Sequence, residues 1–264
     1  MAEFLTLVFR TFMSESGLKK TTTPGPPPPT AAGSTLLVGH RGTSRSVLLL
    51  AAVTAASELG TRVVFFSQTQ IQSLPVSLQK SVPGLSPESL KKIVFSYPRT
   101  VEELLQQVAR LHESTNTTPP ALIVVDGLED FLCAPGRHPG EQSRAAHLSA
   151  LLCDTATFFT QVLKQRSSSS APCRILASFY SDTDPGQADG EASATDAMLN
   201  VLDRYFQVRC TLDQDRGYEA AAAGLQELWH VYLSGRGVTD DKLGGSQEWQ
   251  LLVFPNGSVE FKLV

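Results

Sequence analysis

The sequence predicts an α/β fold, in which a mostly parallel sheet has helices on both faces and an antiparallel hairpin at its C-terminal end. Two observations predict it. Short runs that are apolar at nearly every position alternate with helical stretches, as expected for parallel strands buried on both faces. Near the C-terminus, Pro255-Asn256-Gly257 separates two extended runs within 248–264, which is a hairpin signal.

The first predicted elements are three strands and a helix. Residues 35–39 (TLLVG) form an apolar strand that ends on glycine, and 47–60, nearly all apolar or alanine, is long enough for a helix. Residues 61–67 (TRVVFFS) form the second strand. The third, 90–97, stops at Pro98 because proline has no N–H to donate to a sheet.

The next predicted helix, 100–114, opens with a capping box, since Glu103 follows Thr100 by three residues. Its apolar residues recur at spacings of three and four, which is typical of an amphipathic helix: Val101, Leu104, Leu105, Val108 and Leu111. The remaining predicted elements are a strand at 121–126, a helix at 143–165, a strand at 174–180 and antiparallel strands at 228–233 and within 248–264.

The N-terminal part of the chain has a different composition. Residues 1–20 form an apolar arm, and we expect its Phe and Leu side chains to dock on a partner. Residues 21–33 (TTTPGPPPPTAAG) form a proline-rich linker, which favours an extended conformation. The third unit, 34–264, is predicted to be a single α/β domain.

Composition excludes several classes of function. The 264 residues carry a net charge of −4, so a generally basic nucleic-acid binder is disfavoured. No stretch approaches the roughly 20 apolar residues of a membrane span, and we expect no membrane partner. The four cysteines form no CxxC pair and are interpreted as reduced, buried thiols rather than zinc ligands: Cys133, Cys153, Cys173 and Cys210.

A phosphate-binding loop is predicted between the first strand and the first predicted helix. Residues 39–46 (GHRGTSRS) match the Walker A pattern GxxxxGK[ST] at Gly39 and Ser46, whereas Ser44 replaces the second glycine and Arg45 replaces the lysine. Arginine keeps the positive charge but is longer and planar. The predicted nucleotide-binding residues are Gly39, Gly42, Thr43, Ser44, Arg45 and Ser46.

The second half of such a site is a carboxylate that follows a later buried strand. Asp126 follows Ala-Leu-Ile-Val-Val and fits the Walker B role, so Ser46 and Asp126 are the predicted Mg²⁺ ligands. The alternative is an ordinary strand-to-helix turn in which Asp126 only caps the next segment. No catalytic residue is predicted, because 67–70 (SQTQ) has no carboxylate to act as general base.

Seven collinear stretches carry a family resemblance: 36–39 (LLVG), 71–75 (IQSLP), 92–98 (KIVFSYP), 122–129 (LIVVDGLE), 151–156 (LLCDTA), 204–206 (RYF) and 248–249 (EW). In them the chain resembles RecA-like recombinase paralogues, and among these the small ATPase subunits of vertebrate Shu complexes. The resemblance implies a RecA-like P-loop NTPase core with weak ATP and Mg²⁺ binding.

The same resemblance implies a nuclear role in homologous-recombination DNA repair. The implied partners are a SWIM-type zinc-finger protein, a recombinase of the RecA family and single-stranded DNA, and the implied effect is to promote or stabilise recombinase filaments. One alternative is a genuine DNA-stimulated ATPase with a non-standard phosphate loop. Another, from outside the family, is a small-molecule kinase, although 181–196 is acidic and lacks the arginines of a kinase lid.

The acidic loop 181–196 is also a poor site for DNA, because carboxylates repel phosphates. Basic candidates lie elsewhere, each with an ordinary solvated surface as the alternative: Lys91, Lys92, Lys164, Arg166, Arg174, Arg204 and Arg209. Residues 131–134 (FLCA) match the Phe-x-x-Ala tag that links recombinase subunits, but about one chance match is expected in a chain of this composition.

Overall fold

The computed structural model describes residues 2–13, 33–72, 86–113, 118–133, 140–166, 171–180, 194–235 and 248–264. Its strands are β1 (Gly33–Val38), β2 (Val63–Ser67), β3 (Ile93–Ser96), β4 (Leu122–Asp126), β5 (Arg174–Phe179), β6 (Val208–Gln214), β7 (Glu227–Gly235), β8 (Glu248–Val253) and β9 (Val259–Leu263). Its α-helices are α1 (Ala2–Thr11), α2 (Arg41–Ser57), α3 (Pro87–Leu90), α4 (Val101–Arg110), α5 (Leu128–Leu132), α6 (Glu141–Arg166), α7 (Ala194–Leu202) and α8 (Glu219–Ala222), and a 3₁₀ turn spans Leu111–Glu113.

The nine described strands form one sheet in the order β3-β2-β4-β5-β1-β6-β7-β8-β9. Pairing is parallel from β3 to β6 and antiparallel from β6 to β9. The carboxyl ends of β1, β2, β4 and β5 therefore lie along the same edge of the sheet, which is where open α/β sheets hold ligands.

Two apolar layers cover the sheet. Helices α1 and α2 pack on one face, and α2 is so apolar that it is buried on most sides. Helices α4, α5, α6 and α7 pack on the other face. The α/β fold with a mostly parallel sheet and an antiparallel C-terminal hairpin is confirmed.

Most element boundaries agree with the sequence prediction. Gly257 has the left-handed φ of 78° that the hairpin turn requires, and Thr100 Oγ1 accepts a hydrogen bond from Glu103 N at 3.2 Å. The second hydrogen bond of the capping box is displaced by one residue, because Glu103 Oε2 accepts from Arg99 N at 2.7 Å rather than from the N–H of the N-cap residue Thr100. The third strand is shorter than predicted, since Leu90 ends α3.

We expected the N-terminal arm to dock on a partner, but its described part, residues 2–13, packs into this chain's own core through α1. Phe4, Leu5, Val8 and Phe9 are at most 1% exposed. Phe261 N donates a hydrogen bond to Phe12 O at 2.8 Å. The linker 21–33 lies outside the described residues apart from Gly33, which begins β1. Among the described helices, none is long and apolar enough to cross a membrane.

Candidate functional site

The turn between β1 and α2 is much shorter than a phosphate loop. It contains only Gly39 and His40, and α2 begins at Arg41. Ser44 N donates to His40 O at 2.9 Å, which is the first hydrogen bond of the helix. The predicted loop residues from Gly42 to Ser46 are therefore helical, so most of their N–H groups are directed along the helix rather than around an anion.

The two glycines of the predicted loop, Gly39 in the turn and Gly42 in α2, also differ from those of a phosphate loop. Neither Gly39 nor Gly42 has a positive φ. Gly39 instead permits close packing of neighbouring strands, since a Cβ at this position would lie 2.7 Å from Leu212 Cβ and 2.8 Å from Leu212 O. At Gly42 a Cβ would meet only the His40 ring, at an ordinary 3.5 Å.

The hydroxyl side chains of this segment are buried or bonded within the helix. Thr43 and Ser44 are 7% and 1% exposed. Ser46, the predicted Mg²⁺ ligand on this side, donates its Oγ hydrogen bond to Gly42 O at 2.9 Å within the helix. Ser44 Oγ is buried and has no hydrogen-bond partner among the described residues, and none of the three hydroxyls is bonded to Asp126.

Arg45 and Asp126 form the centre of the candidate site. Arg45 Nε lies 2.6 Å from Asp126 Oδ2, and the Asp126 side chain is 1% exposed. Ser67 Oγ donates to the same oxygen at 3.0 Å, and Ser178 Oγ donates to Oδ1 at 3.3 Å. Ser178 in turn accepts from Gly127 N at 2.9 Å. The buried carboxylate is thus neutralised by arginine and hydrogen-bonded on both oxygens.

A second arginine on the same face of α2 reinforces this contact. Arg41 lies one helical turn before Arg45, and its Nη2 bridges Glu129 at 3.2 Å and Asp130 at shorter range. Glu129 Oε2 also accepts from Tyr180 N at 2.9 Å. Burial raises the pKa of Glu129, partly offset by this backbone hydrogen bond and by the charge of Arg41. The two arginines tie the first turns of α2 to the segment that follows β4.

Two further residues near the turn have protein partners. Gln68 lies in 67–70, the segment that has no carboxylate to act as general base, and it donates its Nε2 hydrogens to Asp130 O at 2.9 Å and Arg99 O at 3.1 Å. The His40 ring lies 5.9 Å from the Trp229 ring in a stacked arrangement. Both side chains therefore help to hold this edge of the sheet together.

The sequence prediction missed the polar groups that surround Asp126. Ser67 and Ser178 stand on β2 and β5, the two strands that flank β4, and both are buried. A serine within an otherwise apolar strand was the signal that could have found them. The spacing of four between Arg41 and Arg45 was the corresponding signal on α2, since residues four apart share a helix face.

Mg²⁺–ATP is the group that a RecA-like core implies, and the arrangement described above does not fit it. The backbone forms no nest of N–H groups at the turn. The Asp126 carboxylate already holds a guanidinium, and Ser46 is bonded within its helix. The nucleotide-binding and metal-binding roles of the predicted residues stay predictions, and the geometry disfavours them.

The structure also places the other candidates from the sequence. Phe131 is 5% exposed and belongs to the core, so it is not available as a linking tag; Ala134 lies outside the described residues. Arg174 is 2% exposed, with its guanidinium 5.6 Å from the Phe4 ring centroid, which excludes it as a surface DNA contact. The loop 181–196 is described only from 194 onward, where Asp196 lies in α7.

The cysteines divide into two groups. Cys173 and Cys210 are buried as expected, and burial raises the pKa of each thiol to about 12. Cys133 is exposed and Cys153 is half-buried, so the interpretation of all four as buried thiols was wrong for Cys133. Cys133 is the C-cap residue of the short helix α5, and its backbone is extended where the chain leaves the helix.

Known structures share this fold. A KaiC-like protein, PH0186, from Pyrococcus horikoshii OT3 has 13% sequence identity and a TM-score of 0.54, with 87% of this chain and 89% of that chain aligned. The RadB recombinase has 14% identity and a TM-score of 0.52, with 86% and 90% aligned. No protein-family model matches the chain. The fold is thus that of the RecA-like proteins.

Sequence relatives narrow the assignment further. The protein ATPase SWSAP1 of Mus musculus is 33% identical over 225 residues, which are 85% of this chain and 71% of the relative. ATPase SWSAP1 of Homo sapiens is 33% identical over 182 residues, or 68% of this chain and 71% of the relative. The chain therefore belongs to the SWSAP1 family, and the resemblance found in the sequence is confirmed.

Proposed function

We propose that this protein is a nuclear homologous-recombination repair factor, a RecA-paralogue subunit of a Shu-type complex. It pairs with a SWIM-type zinc-finger protein, binds single-stranded DNA together with that partner, and promotes or stabilises filaments of a RecA-family recombinase. Membership of the SWSAP1 family and the RecA-like fold support this proposal. The net charge of −4 supports a shared rather than an individual DNA site.

The ion pair between Arg45 and Asp126 carries the proposal that the subunit acts by binding rather than by ATP hydrolysis. The side chain that would hold Mg²⁺ is 1% exposed and already neutralised. Separating Arg45 from Asp126 costs several kcal/mol, because it leaves a buried carboxylate without its cationic partner. Any binding of ATP and Mg²⁺ at this site must therefore be weak, because it has to displace Arg45.

The alternative of a DNA-stimulated ATPase is supported by two observations. Both mammalian relatives are named ATPases, and Asp126 stands at the carboxyl end of β4, as the Walker B role requires. A DNA-stimulated ATPase would have to rebuild the turn at Gly39 and release Asp126 from Arg45 when DNA or a partner binds. This rearrangement would be detectable as nucleotide binding that requires Mg²⁺.

The experiment is co-expression of this chain with its SWIM-domain partner, followed by purification of the complex. We expect the two chains to co-purify, to bind single-stranded DNA together more tightly than this chain alone, and to hydrolyse no ATP above the level of an Asp126→Ala variant. Separate elution of the two chains would contradict the Shu-type assignment. DNA-stimulated turnover that disappears in Asp126→Ala would instead support the ATPase alternative.

A further inference from the structure

A groove lies at the amino ends of the parallel strands, opposite the edge that holds Asp126. It has a volume of about 330 Å³, at the low end of the roughly 300–1,000 Å³ of small-ligand sites. The described residues that line it are Arg62, Val64, Leu111, His112, Pro119, Pro120, Phe158, Phe159, Val162 and Arg166. Its floor is apolar, and its polar groups are two arginines and a histidine.

The charge of this groove differs from that of the chain as a whole. None of the described lining residues is acidic, although the chain has more carboxylates than cationic side chains. Arg62 is held in place, because its Nη1 donates to Thr118 O at 3.0 Å. Arg166 is exposed at the end of α6. Two cationic side chains therefore stand at an apolar surface with no described lining carboxylate to neutralise them.

An exposed aromatic ring adds a second kind of contact. Phe158 is 45% exposed, so part of its ring is available to a stacking partner. Its ring centroid lies 5.4 Å from that of Phe159 and 6.2 Å from that of His112, and both contacts are edge-to-face. Two neighbouring rings therefore pack against Phe158 while part of its ring remains open to solvent.

We infer that this groove is a contact site for single-stranded DNA, in which a base stacks on Phe158 and the neighbouring phosphates pair with Arg62 and Arg166. Proteins that bind single strands combine an aromatic platform with cationic side chains in this way. The volume of about 330 Å³ suits one nucleotide, and two arginines with no described lining carboxylate favour a phosphate-bearing partner. The inference rests on the proposed function and gives a location to its DNA contact.

The groove lies at the opposite edge of the sheet from the candidate nucleotide site. Arg62 precedes β2 and Pro120 precedes β4, whereas Ser67 and Asp126 end those strands. A strand of five residues is about 16 Å long at the usual rise. DNA bound at the groove would therefore leave the contact between Arg45 and Asp126 intact.

The test measures binding of a fluorescein-labelled oligo(dT) strand to the complex with the SWIM-domain partner, as a function of salt. We expect Phe158→Ala to weaken binding by roughly 5- to 100-fold, as loss of one stacked base does. Arg166→Ala should weaken binding and reduce the slope of log K against log salt by about 0.7. The matched controls are Tyr218→Ala, which removes a ring that is 92% exposed, and Lys262→Ala on β9; both should bind like the wild type.

The outcomes distinguish the groove from the proposed function. Binding by Phe158→Ala and Arg166→Ala that equals the wild type in affinity and salt slope would overturn the groove while leaving the function in place. A wild-type complex that binds no single-stranded DNA would overturn both. Loss of the SWIM-domain partner from the two groove variants, with Tyr218→Ala unaffected, would show that the groove binds protein and would also overturn the inference.

Discussion

Arg45 and Asp126 form an ion pair, with Nε 2.6 Å from Oδ2, that joins the first turns of α2 to the carboxyl end of β4. The Asp126 carboxylate is almost fully buried, and a buried charge is costly unless a cationic partner or a metal balances it. In this protein the partner is a side chain of the same chain. Arg45 therefore supplies the positive charge that a nucleotide-bound Mg²⁺ would supply in a Walker B site.

The first prediction concerns the stability of this pair. Arg45→Met should lower the free energy of unfolding by about 3 kcal/mol, because it leaves the Asp126 carboxylate buried without its counter-charge. Lys91→Ala, which removes an ion pair with both side chains well exposed, should change it by less than about 0.5 kcal/mol. Urea denaturation of each variant gives the comparison. Equal effects of the two substitutions would show that Asp126 does not depend on Arg45.

A second prediction separates the two glycines of the predicted phosphate loop. Gly39→Ala should destabilise the fold by about 1–3 kcal/mol, because its Cβ would collide with Leu212. Gly42→Ala should be neutral or stabilise it by up to about 1 kcal/mol, because alanine is favoured over glycine in a helix. Thermal melts of both variants test this. Destabilisation by Gly42→Ala would indicate that Gly42 adopts a loop conformation that alanine resists.

The third prediction concerns α1. Phe9 stacks on Phe261 at a ring-centroid distance of 4.5 Å and lies 5.4 Å from Trp249. Phe9→Ala should therefore cost about 3–5 kcal/mol of stability. The control is Tyr218→Ala, since that ring is 92% exposed and should cost little. If Phe9→Ala unfolds in denaturant at the same midpoint as the wild type, α1 is a free arm rather than part of the core.

The fourth prediction concerns thiol reactivity and pH. Burial raises the folded-state pKa of Cys173 and Cys210 to about 12, above the ordinary value of 9.0. Their contribution to stability is therefore complete below pH 9 and is lost as pH rises toward 12. In the native protein at pH 8, iodoacetamide should modify Cys133 first and leave Cys173 and Cys210 unmodified. Peptide mass spectrometry would contradict the assignment if the two buried thiols reacted at the rate of Cys133.

The sequence was sufficient to predict the sheet because strands such as 121–126 are apolar until their last residue, Asp126, and burial on both faces accounts for that pattern. It did not predict β6, although the alternation of apolar and polar residues there is a local strand signal. It did not place α1 either, because an apolar helix face is explained equally well by a partner or by the chain's own core, and that choice depends on tertiary packing, which a local pattern does not contain.

The candidate site was predicted in part for a similar reason. The position of Asp126 follows from its strand, and its closeness to α2 follows from strand order. The start of α2 at Arg41 does not follow, because residues 41–46 contain the small and polar types that serve equally in a loop or in the first turns of a helix. The ion pair with Arg45 depends on that helix start, so the motif pattern alone left it hidden.

The most direct test of the central claim is a measurement of ATP binding by the purified complex with its SWIM-domain partner, by isothermal titration calorimetry with and without Mg²⁺. Asp126→Asn, which removes the charge and keeps the shape, is the matched variant. Because Arg45 already neutralises Asp126, we predict weak binding or none, with no dependence on Mg²⁺ and no change in Asp126→Asn. Tight binding that requires Mg²⁺ and is lost in Asp126→Asn would contradict the account.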